Sequence, residues 1–306
     1  MNKAAVLMST YNGEKYLREQ IDSIFAQEEV EIHLYIRDDG SKDSSLEIIH
    51  RYLSEHFNIT LINGSNIGVG NSFMTILKSA GSTCDFYCFA DQDDIWMPNK
   101  LRMAIKQLSA SNIPQCYCSN QALVDKDGNP LGIRHKNPVH TNYMQVLCNN
   151  CMTGCTMVWN RRLQEILIEE KRFPSHDLLK KRIHDVWVAM VAATVGEVCY
   201  DNHAYIYYRQ HEDNVVGVKD AIAVKEWVRK MNHAELRNGR SVLAYEIVTK
   251  FRDLIGSKKI LNRLEAYANY RNSISKKVNL LHDMEICEYS GESHFMLRIK
   301  ILLNLF

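Results

Sequence analysis

The chain has 306 residues, of which 46% are hydrophobic and 24% charged, and its formal net charge at pH 7 is +1. The length suits one large α/β domain with an appendage, or two modest domains, and the composition is that of a globular protein. A near-neutral charge argues against binding nucleic acid through the overall field of the protein. The start of the chain turns polar too soon for a signal peptide, and no apolar run reaches the ~20 residues of a membrane-spanning helix. We therefore expect a cytosolic protein.

The nine cysteines are odd in number and follow no disulfide framework, which fits reduced thiols. Cys148 and Cys151 form a CxxC pair near Cys155 and could ligate zinc, with Cys116 and Cys118 as further ligands. The sequence has no second CxxC pair and no histidine at zinc-finger spacing, so small buried side chains are favoured.

The N-terminal third alternates predicted strands with predicted helices. Apolar runs predict strands at 4–8, 32–37, 59–62 and 86–90, and a helical pattern follows each of them. This alternation predicts a mostly parallel, doubly wound α/β sheet. Neither GxGxxG nor GxxxxGK[ST] is present, so the usual dinucleotide and P-loop motifs are excluded.

Polar residues follow the first two predicted strands. Thr10, Tyr11 and Asn12 lie between the first strand and a helix, where the loop and the helix N-terminus suit a phosphate or a sugar-nucleotide. Asp38 and Asp39 follow the second strand, where a carboxylate can accept hydrogen bonds from a base or a ribose. A turn that caps the next helix is the alternative.

Three acidic residues directly follow the fourth strand, in the sequence Asp91-Gln92-Asp93-Asp94-Ile95-Trp96. Carboxylates this close repel one another, and a divalent cation held by Asp91 and Asp93 is the simplest relief. The carboxyl ends of strands form the edge where open α/β sheets bind ligands. A solvated acidic turn before the helix predicted at 99–108 is the alternative that these residues leave open.

The second half of the sequence predicts fewer regular elements. A strand is predicted at 115–123, and residues 132–145 show little periodicity and are expected to form a mobile loop. His184 and Asp185 open an apolar helix, in whose first turn a negative charge is favoured. A strand from residue 205 runs into Arg209 and His211; such a histidine, beside a carboxylate metal site, is a candidate ligand.

Beyond residue 218 the pattern predicts helices at 221–232, 241–254 and 260–278, with many lysines and arginines. The last stretch, 295–306, is apolar with two cations. It could lie on a membrane surface, or it could dock on the α/β domain or on a second subunit.

Four loops, taken in order, resemble those of the family 2 glycosyltransferases of GT-A fold: residues 9–13, 37–41, 66–68 and 91–96. The Asp-Gln-Asp-Asp-Ile-Trp form is similar to the bacterial rhamnosyltransferase-like members that build cell-surface polysaccharides. The resemblance implies a GT-A domain, Rossmann-like with a mostly parallel doubly wound sheet, over 1–217. The donor site would lie in about 4–100, the acceptor side in about 115–217, and a helical C-terminal extension in 218–306.

This resemblance implies an inverting, metal-dependent transfer of a sugar from a nucleotide-diphosphate donor. Mg²⁺ or Mn²⁺ would be held by Asp91, Asp93 and His211, and Asp185 would be the catalytic base because it matches the acidic residue that starts the acceptor helix. Many members have Glu-Asp there, whereas His184 precedes the aspartate in this chain. The donor-binding residues implied are Thr10, Tyr11, Asn12, Asp38, Asp39, Asn66, Gly68, Asp91, Arg209 and His211.

The same resemblance makes dTDP-L-rhamnose the first choice of donor and a UDP-hexose the second. The acceptor would be a saccharide, lipid-linked at the inner face of the membrane, which gives the C-terminal region a role in peripheral membrane contact or in a homodimer. The alternative is a nucleotide-sugar-binding subunit without turnover. Such a subunit could lose the metal carboxylates or the base, and both are present here.

Overall fold

The computed structural model describes residues 1–108, 113–211 and 239–306. Within these residues the chain folds around one sheet of nine strands. The strands are β1 (Asn2–Thr10), β2 (Val30–Asp38), β3 (Ile59–Asn63), β4 (Phe86–Ala90), β5 (Ile95–Trp96), β6 (Gln115–Val124), β7 (Pro130–Ile133), β8 (Val158–Asn160) and β9 (Glu197–Arg209).

Helices cover both faces of this sheet and form the regular structure of residues 239–306. Those of the α/β part are α1 (Leu17–Phe25), α2 (Ser45–Glu55), α3 (Val69–Ser79), α4 (Lys100–Gln107), α5 (Tyr143–Asn149), α6 (Arg161–Leu167), α7 (His176–Lys181) and α8 (His184–Val195). Those of the C-terminal part are α9 (Gly239–Phe251), α10 (Lys258–Asn269), α11 (Ile274–Leu281), α12 (Glu285–Ser290) and α13 (His294–Leu302).

The first four strands have the predicted parallel arrangement. β1 pairs with β2 and with β4, and β2 pairs with β3, all in parallel. Successive side chains of a strand point to opposite faces, so Leu7 lies in one hydrophobic core while Val6 and Met8 lie in the other. Residues 4–8 are fully buried because helices cover both faces. The α/β fold class with a helical C-terminal part is therefore confirmed.

The second half of the sheet mixes strand directions, which the apolar runs alone do not predict. The order across the sheet is β3-β2-β1-β4-β8-β6-β9-β5. β8 runs antiparallel to β4 and to β6, while β9 is parallel to β6. The two-residue strand β5 pairs with β9 in the antiparallel direction, through Ile95 and Tyr207. This pairing brings the acidic loop after β4 close to the end of β9.

Two predicted segments require correction. Residues 132–145 are not all loop, because β7 ends inside them at Ile133 and α5 begins inside them at Tyr143. The helix predicted at 260–278 is two helices, α10 and α11, with a 3₁₀ turn between them. Ser273 starts the second of these, since its side chain accepts a hydrogen bond from the backbone N–H of Lys276. The helix predicted at 221–232 and the domain boundary predicted at 217/218 lie outside the described residues.

The five cysteines considered as zinc ligands are buried or partly buried, as the sequence pattern predicts. Cys116, Cys118, Cys148 and Cys155 are buried, and Cys151 is partly buried.

The C-terminal helices pack against the α/β part through α8. Phe251 is fully buried, and its ring centroid lies 5.6 Å from that of Trp187. Phe306 is 2% exposed and its ring centroid lies 5.8 Å from that of Tyr267. The last segment is therefore docked on its own chain along one face. Among the described residues, no helix combines the length and apolar character needed to cross a membrane.

We expect Phe251→Ala to destabilise the whole protein by about 3–5 kcal/mol, because it removes a large buried side chain and leaves a cavity. Urea unfolding, followed by the fluorescence of tryptophans in the α/β part, measures this effect. Phe295→Ala is the control, since Phe295 is 72% exposed and its loss should change stability by less than about 0.5 kcal/mol. An unchanged unfolding midpoint for Phe251→Ala would mean that the C-terminal helices fold as an independent unit.

Candidate active site

A cavity of about 590 Å³ opens at the carboxyl ends of β1, β2 and β4. The loops after these strands line it together with the beginnings of α3 and α8 and the end of β9. The predicted site residues that line the cavity are Tyr11, Asn12, Asp39, Asn66, Gly68, Asp91, Asp93, Asp185 and His211. Thr10, Asp38 and Arg209, also predicted, are not among its lining residues.

Gln92 joins the loop after β1 to the acidic loop after β4. Its side-chain oxygen accepts hydrogen bonds from Thr10 Oγ1 at 2.7 Å and from the Tyr11 backbone N–H at 2.9 Å. Its Nε2 donates to the Tyr11 carbonyl oxygen at 3.2 Å. Gly13 permits this contact, because a Cβ there would lie 2.5 Å from the Gln92 oxygen. The sequence analysis did not predict that Gln92 joins these two loops. Its position as a single amide between Asp91 and Asp93 could have indicated such a role.

Asp39 holds the loop after β3 against the end of β2. Its buried carboxylate pairs with the Arg37 guanidinium and accepts hydrogen bonds from the backbone N–H groups of Ile67 and Gly68, at 3.1–3.2 Å and 3.2 Å. Asp39 is also one of the residues that line the cavity. Gly68 has φ +83°, a conformation that favours glycine.

Asp38 and Arg209 support the loops from behind the cavity. Asp38 Oδ2 accepts hydrogen bonds from the backbone N–H groups of Gly40 and Ser41 at 3.0 and 2.9 Å, which shapes the turn after β2. Arg209 is 4% exposed, pairs with Glu19, and donates to the Asp93 carbonyl oxygen at 3.0 Å. Arg209 therefore positions the backbone of the acidic loop.

The acidic loop concentrates negative charge in a partly buried place. Burial, and then the neighbouring Asp93 and Asp185, raise the pKa of Asp91 to about 7. Asp94 is fully buried, its pKa is raised mainly by burial, and its Oδ2 has no hydrogen-bond partner among the described residues. His211 Nε2 lies 2.8 Å from Asp93 Oδ2. Two of the three residues predicted to bind a metal, Asp93 and His211, are thus in contact, and the third, Asp91, lines the same cavity.

These side chains suit a divalent cation. Carboxylate oxygens and an imidazole nitrogen are ligands that Mg²⁺ and Mn²⁺ accept. Burial, and then the nearby Asp93 and Asp185 carboxylates, raise the pKa of Asp91, and a bound cation would offset both by stabilising its ionised form. The group of three whose ligand atoms all lie within 4.8 Å of one another is, among the described residues, Asp91, Asp94 and Cys155. The sequence analysis considered Cys155 only together with the other cysteines, as a zinc ligand, and did not connect it with the acidic loop.

Asp185 faces the cavity from the first turn of α8. Its Oδ1 accepts a hydrogen bond from the Val186 backbone N–H at 2.6 Å, and burial raises its pKa to about 6. A Cβ on Gly154 would lie 3.3 Å from Asp185 Cβ, so this glycine lets the turn before β8 approach the helix closely. A carboxylate with this pKa is ionised at neutral pH and can accept a proton.

The sequence of this chain is similar to the sequences of known sugar transferases. Residues 5–165 match the family model described as glycosyl transferase family 2. The chain is 32% identical over 244 residues to the dTDP-rhamnosyl transferase RfbG of Shigella flexneri, covering 73% of this chain and 81% of that protein. It is 29% identical over 201 residues to the Escherichia coli UDP-Glc:alpha-D-GlcNAc-diphosphoundecaprenol beta-1,3-glucosyltransferase WfgD, covering 64% of this chain and 74% of that protein.

Among solved structures, S. aureus TarS 1-349 in complex with UDP has the same fold. The TM-score is 0.57 at 17% sequence identity, with 98% of this chain and 81% of that chain covered.

Proposed function

Because the chain belongs to glycosyl transferase family 2 and is a glycosyltransferase of GT-A fold, we propose that it transfers L-rhamnose from dTDP-L-rhamnose with inversion, in a metal-dependent reaction. One observation carries this proposal. Asp39, the pair Asp91 and Asp93, and Asp185 all line a single cavity, although they come from three separate stretches of the chain. The cavity therefore offers a nucleotide contact, a cation site and a base to one bound donor.

The donor is bound along the loops at the carboxyl end of the sheet. Asp39 accepts a hydrogen bond from the base or the ribose, and Tyr11, Asn12 and Asn66 contact the nucleotide. The side chains of Asp91, Asp93 and His211 would hold Mg²⁺ or Mn²⁺, which supplies positive charge to the leaving diphosphate.

Asp185 performs the proton transfer. Its carboxylate accepts the proton of the acceptor hydroxyl as the oxygen of that hydroxyl attacks the anomeric carbon, and the bond from this carbon to the diphosphate breaks. A single base and a single displacement invert the configuration at the anomeric carbon. Burial keeps the carboxylate basic enough to accept this proton, since it raises the pKa of Asp185 to about 6.

A UDP-hexose donor is the second candidate, favoured by the likeness to WfgD, whose name specifies UDP-Glc. That name also specifies a diphosphoundecaprenol acceptor, and it supports a lipid-linked saccharide as the acceptor here. Such an acceptor lies at the cytoplasmic face of the membrane. The exposed side chains of Phe295, Leu302 and Leu303, near the C-terminal end, would then contact the membrane surface or a second copy of the chain.

A thermal-shift screen of dTDP, UDP and GDP, each with and without Mg²⁺ or Mn²⁺, tests the donor assignment. A nucleotide at a hundredfold excess over its dissociation constant stabilises the folded state by about 2.7 kcal/mol, so the preferred nucleotide should raise the melting temperature most. We expect dTDP with the metal ion to give the largest shift. The largest shift with UDP would instead support the hexosyltransferase. No shift with any nucleotide would contradict the donor site and favour a different role for the cavity.

A further inference from the structure

The apolar side chains of the cavity, apart from its tyrosines, are collected on one wall. Val69, Phe73 and Ile183 line the cavity, and they come from the beginning of α3 and from the residue before α8. The two helices are in contact here, because a Cβ on Gly70 would lie 3.6 Å from the Ile183 Cα atom. The carboxylates predicted to hold the metal come instead from the loop between β4 and β5. The cavity thus has an apolar wall, formed by the beginning of α3 and the residue before α8.

His184 is the polar group set into this wall. It is 4% exposed, and its ring stacks on Phe73 at a centroid distance of 3.9 Å and meets Phe89 edge-on at 4.7 Å. Both ring nitrogens are buried and have no hydrogen-bond partner among the described residues, and His184 is one of the residues that line the cavity. Burial lowers the pKa of His184 to about 3, so the ring is neutral and offers one donor and one acceptor. Buried polar groups are rarely left unpaired, and a ligand hydroxyl would complete this one.

The position of the wall determines which part of a donor it meets. In the proposed reaction the anomeric carbon lies between the diphosphate, near Asp91 and Asp93, and the base Asp185. His184 precedes this base, and a Cβ on Gly154 would lie 3.0 Å from His184 Nε2 and 3.3 Å from Asp185 Cβ. The sugar ring must therefore lie against the surface that His184, Phe73 and Ile183 form.

We propose that this wall is a sugar subsite selective for 6-deoxyhexoses: Val69 and Ile183, backed by the buried Phe73, contact the C6 methyl group, and His184 hydrogen-bonds a ring hydroxyl. The inference rests on the proposed function, since it needs a nucleotide-sugar in the cavity. A methyl group matches the apolar side chains, whereas the C6 hydroxyl of an ordinary hexose would lose its water there without a partner. The wall accounts for a preference at C6 that the metal site and the nucleotide contacts cannot supply.

The test compares dTDP-L-rhamnose with synthetic dTDP-L-mannose, which differs from it only by a hydroxyl at C6. Binding of each donor, and of dTDP alone, is measured by calorimetry with Mg²⁺ and without acceptor. We expect the wild-type protein to bind the rhamnose donor about ten- to a hundredfold more tightly than the mannose donor. Ile183→Thr, which places a hydroxyl in the wall, should bring this ratio towards one. Ile183→Val places an apolar side chain of the same shape as threonine in the wall, and it should keep the wild-type ratio.

A second pair of variants tests the histidine. His184→Phe keeps the stacked ring but has no hydrogen-bonding atom, and it should weaken binding of dTDP-L-rhamnose about five- to tenfold with dTDP binding unchanged. His184→Gln keeps a donor and an acceptor and should restore part of this loss. An equal loss for dTDP alone in His184→Phe would indicate a structural role and overturn the assigned hydrogen bond.

The outcomes separate this inference from the function on which it rests. If wild-type protein binds dTDP but binds the two sugar donors equally, the selective wall is wrong and the glycosyltransferase site stands. If it binds dTDP-L-mannose more tightly than dTDP-L-rhamnose, the wall does not select for a C6 methyl group. If it binds no nucleotide at all, the proposed donor site is wrong and the inference is overturned with it.

Discussion

Replacing Asp185 with asparagine should lower the rate of sugar transfer by about 10²–10⁴-fold, the usual contribution of a general base. The amide has nearly the shape of the carboxylate but cannot accept the acceptor's proton at neutral pH. Donor binding should change little, because the proposed nucleotide contacts come from the loops after β1, β2 and β3 rather than from α8. Single-turnover transfer and calorimetric donor binding, measured on the same preparation, separate these two effects.

Asp177→Asn is a matched control for this variant. Asp177 also lies in the first turn of a helix, but its side chain is 83% exposed and does not line the cavity. Its replacement should leave both transfer and donor binding unchanged. Normal transfer by Asp185→Asn would mean that the base is elsewhere, and Asp94 or His184 would be examined next.

The pH dependence of the wild-type enzyme provides a second readout of Asp185. Since burial raises the pKa of this carboxyl to about 6, the group is ionised and active as a base above that pH. Transfer should therefore fall as the pH is lowered through about 6 and should level off above it. Transfer that stays constant from pH 5 to pH 8 would contradict this assignment.

Replacing Asp93 with alanine should abolish metal-dependent transfer, lowering the rate about a hundredfold or more. A metal ion at a leaving diphosphate contributes several kcal/mol to stabilising the transition state, and each 1.36 kcal/mol is a factor of ten. The variant also leaves His211 without the carboxylate that lies 2.8 Å from its Nε2 in the native site. Binding of Mn²⁺, followed by electron paramagnetic resonance, should weaken in parallel with transfer.

The control for this variant is Asp127→Ala, on the exposed turn between β6 and β7. Like Asp93→Ala, this variant removes an aspartate carboxylate, but at a position distant from the acidic loop along the chain. It should leave Mn²⁺ binding and transfer intact. Wild-type protein treated with a chelator should lose activity and regain it on addition of Mg²⁺ or Mn²⁺. Equal activity of the wild-type protein with and without chelator would remove the metal from the proposed mechanism.

The local sequence determined much of the donor half of this protein. Apolar runs long enough to be buried on both faces predicted the four parallel strands, because a strand covered by helices on both sides has no polar face. The position of Asp39 and Asp91 just past strand ends then placed them at the edge of the sheet where ligands bind. The ordered loops were sufficient to identify the family resemblance, and the family match confirms it.

Only the tertiary structure decided which of these residues share a cavity. Asp185 and His211 lie far along the chain from Asp91, and no local pattern specifies the antiparallel pairing of β5 with β9 that brings His211 to Asp93. The same long-range packing keeps Asp38 and Arg209 out of the cavity lining and places His184, with its unpaired ring nitrogens, among the residues that line it. Periodicity reports which face of an element is buried, whereas the partners on that face depend on how distant elements pack.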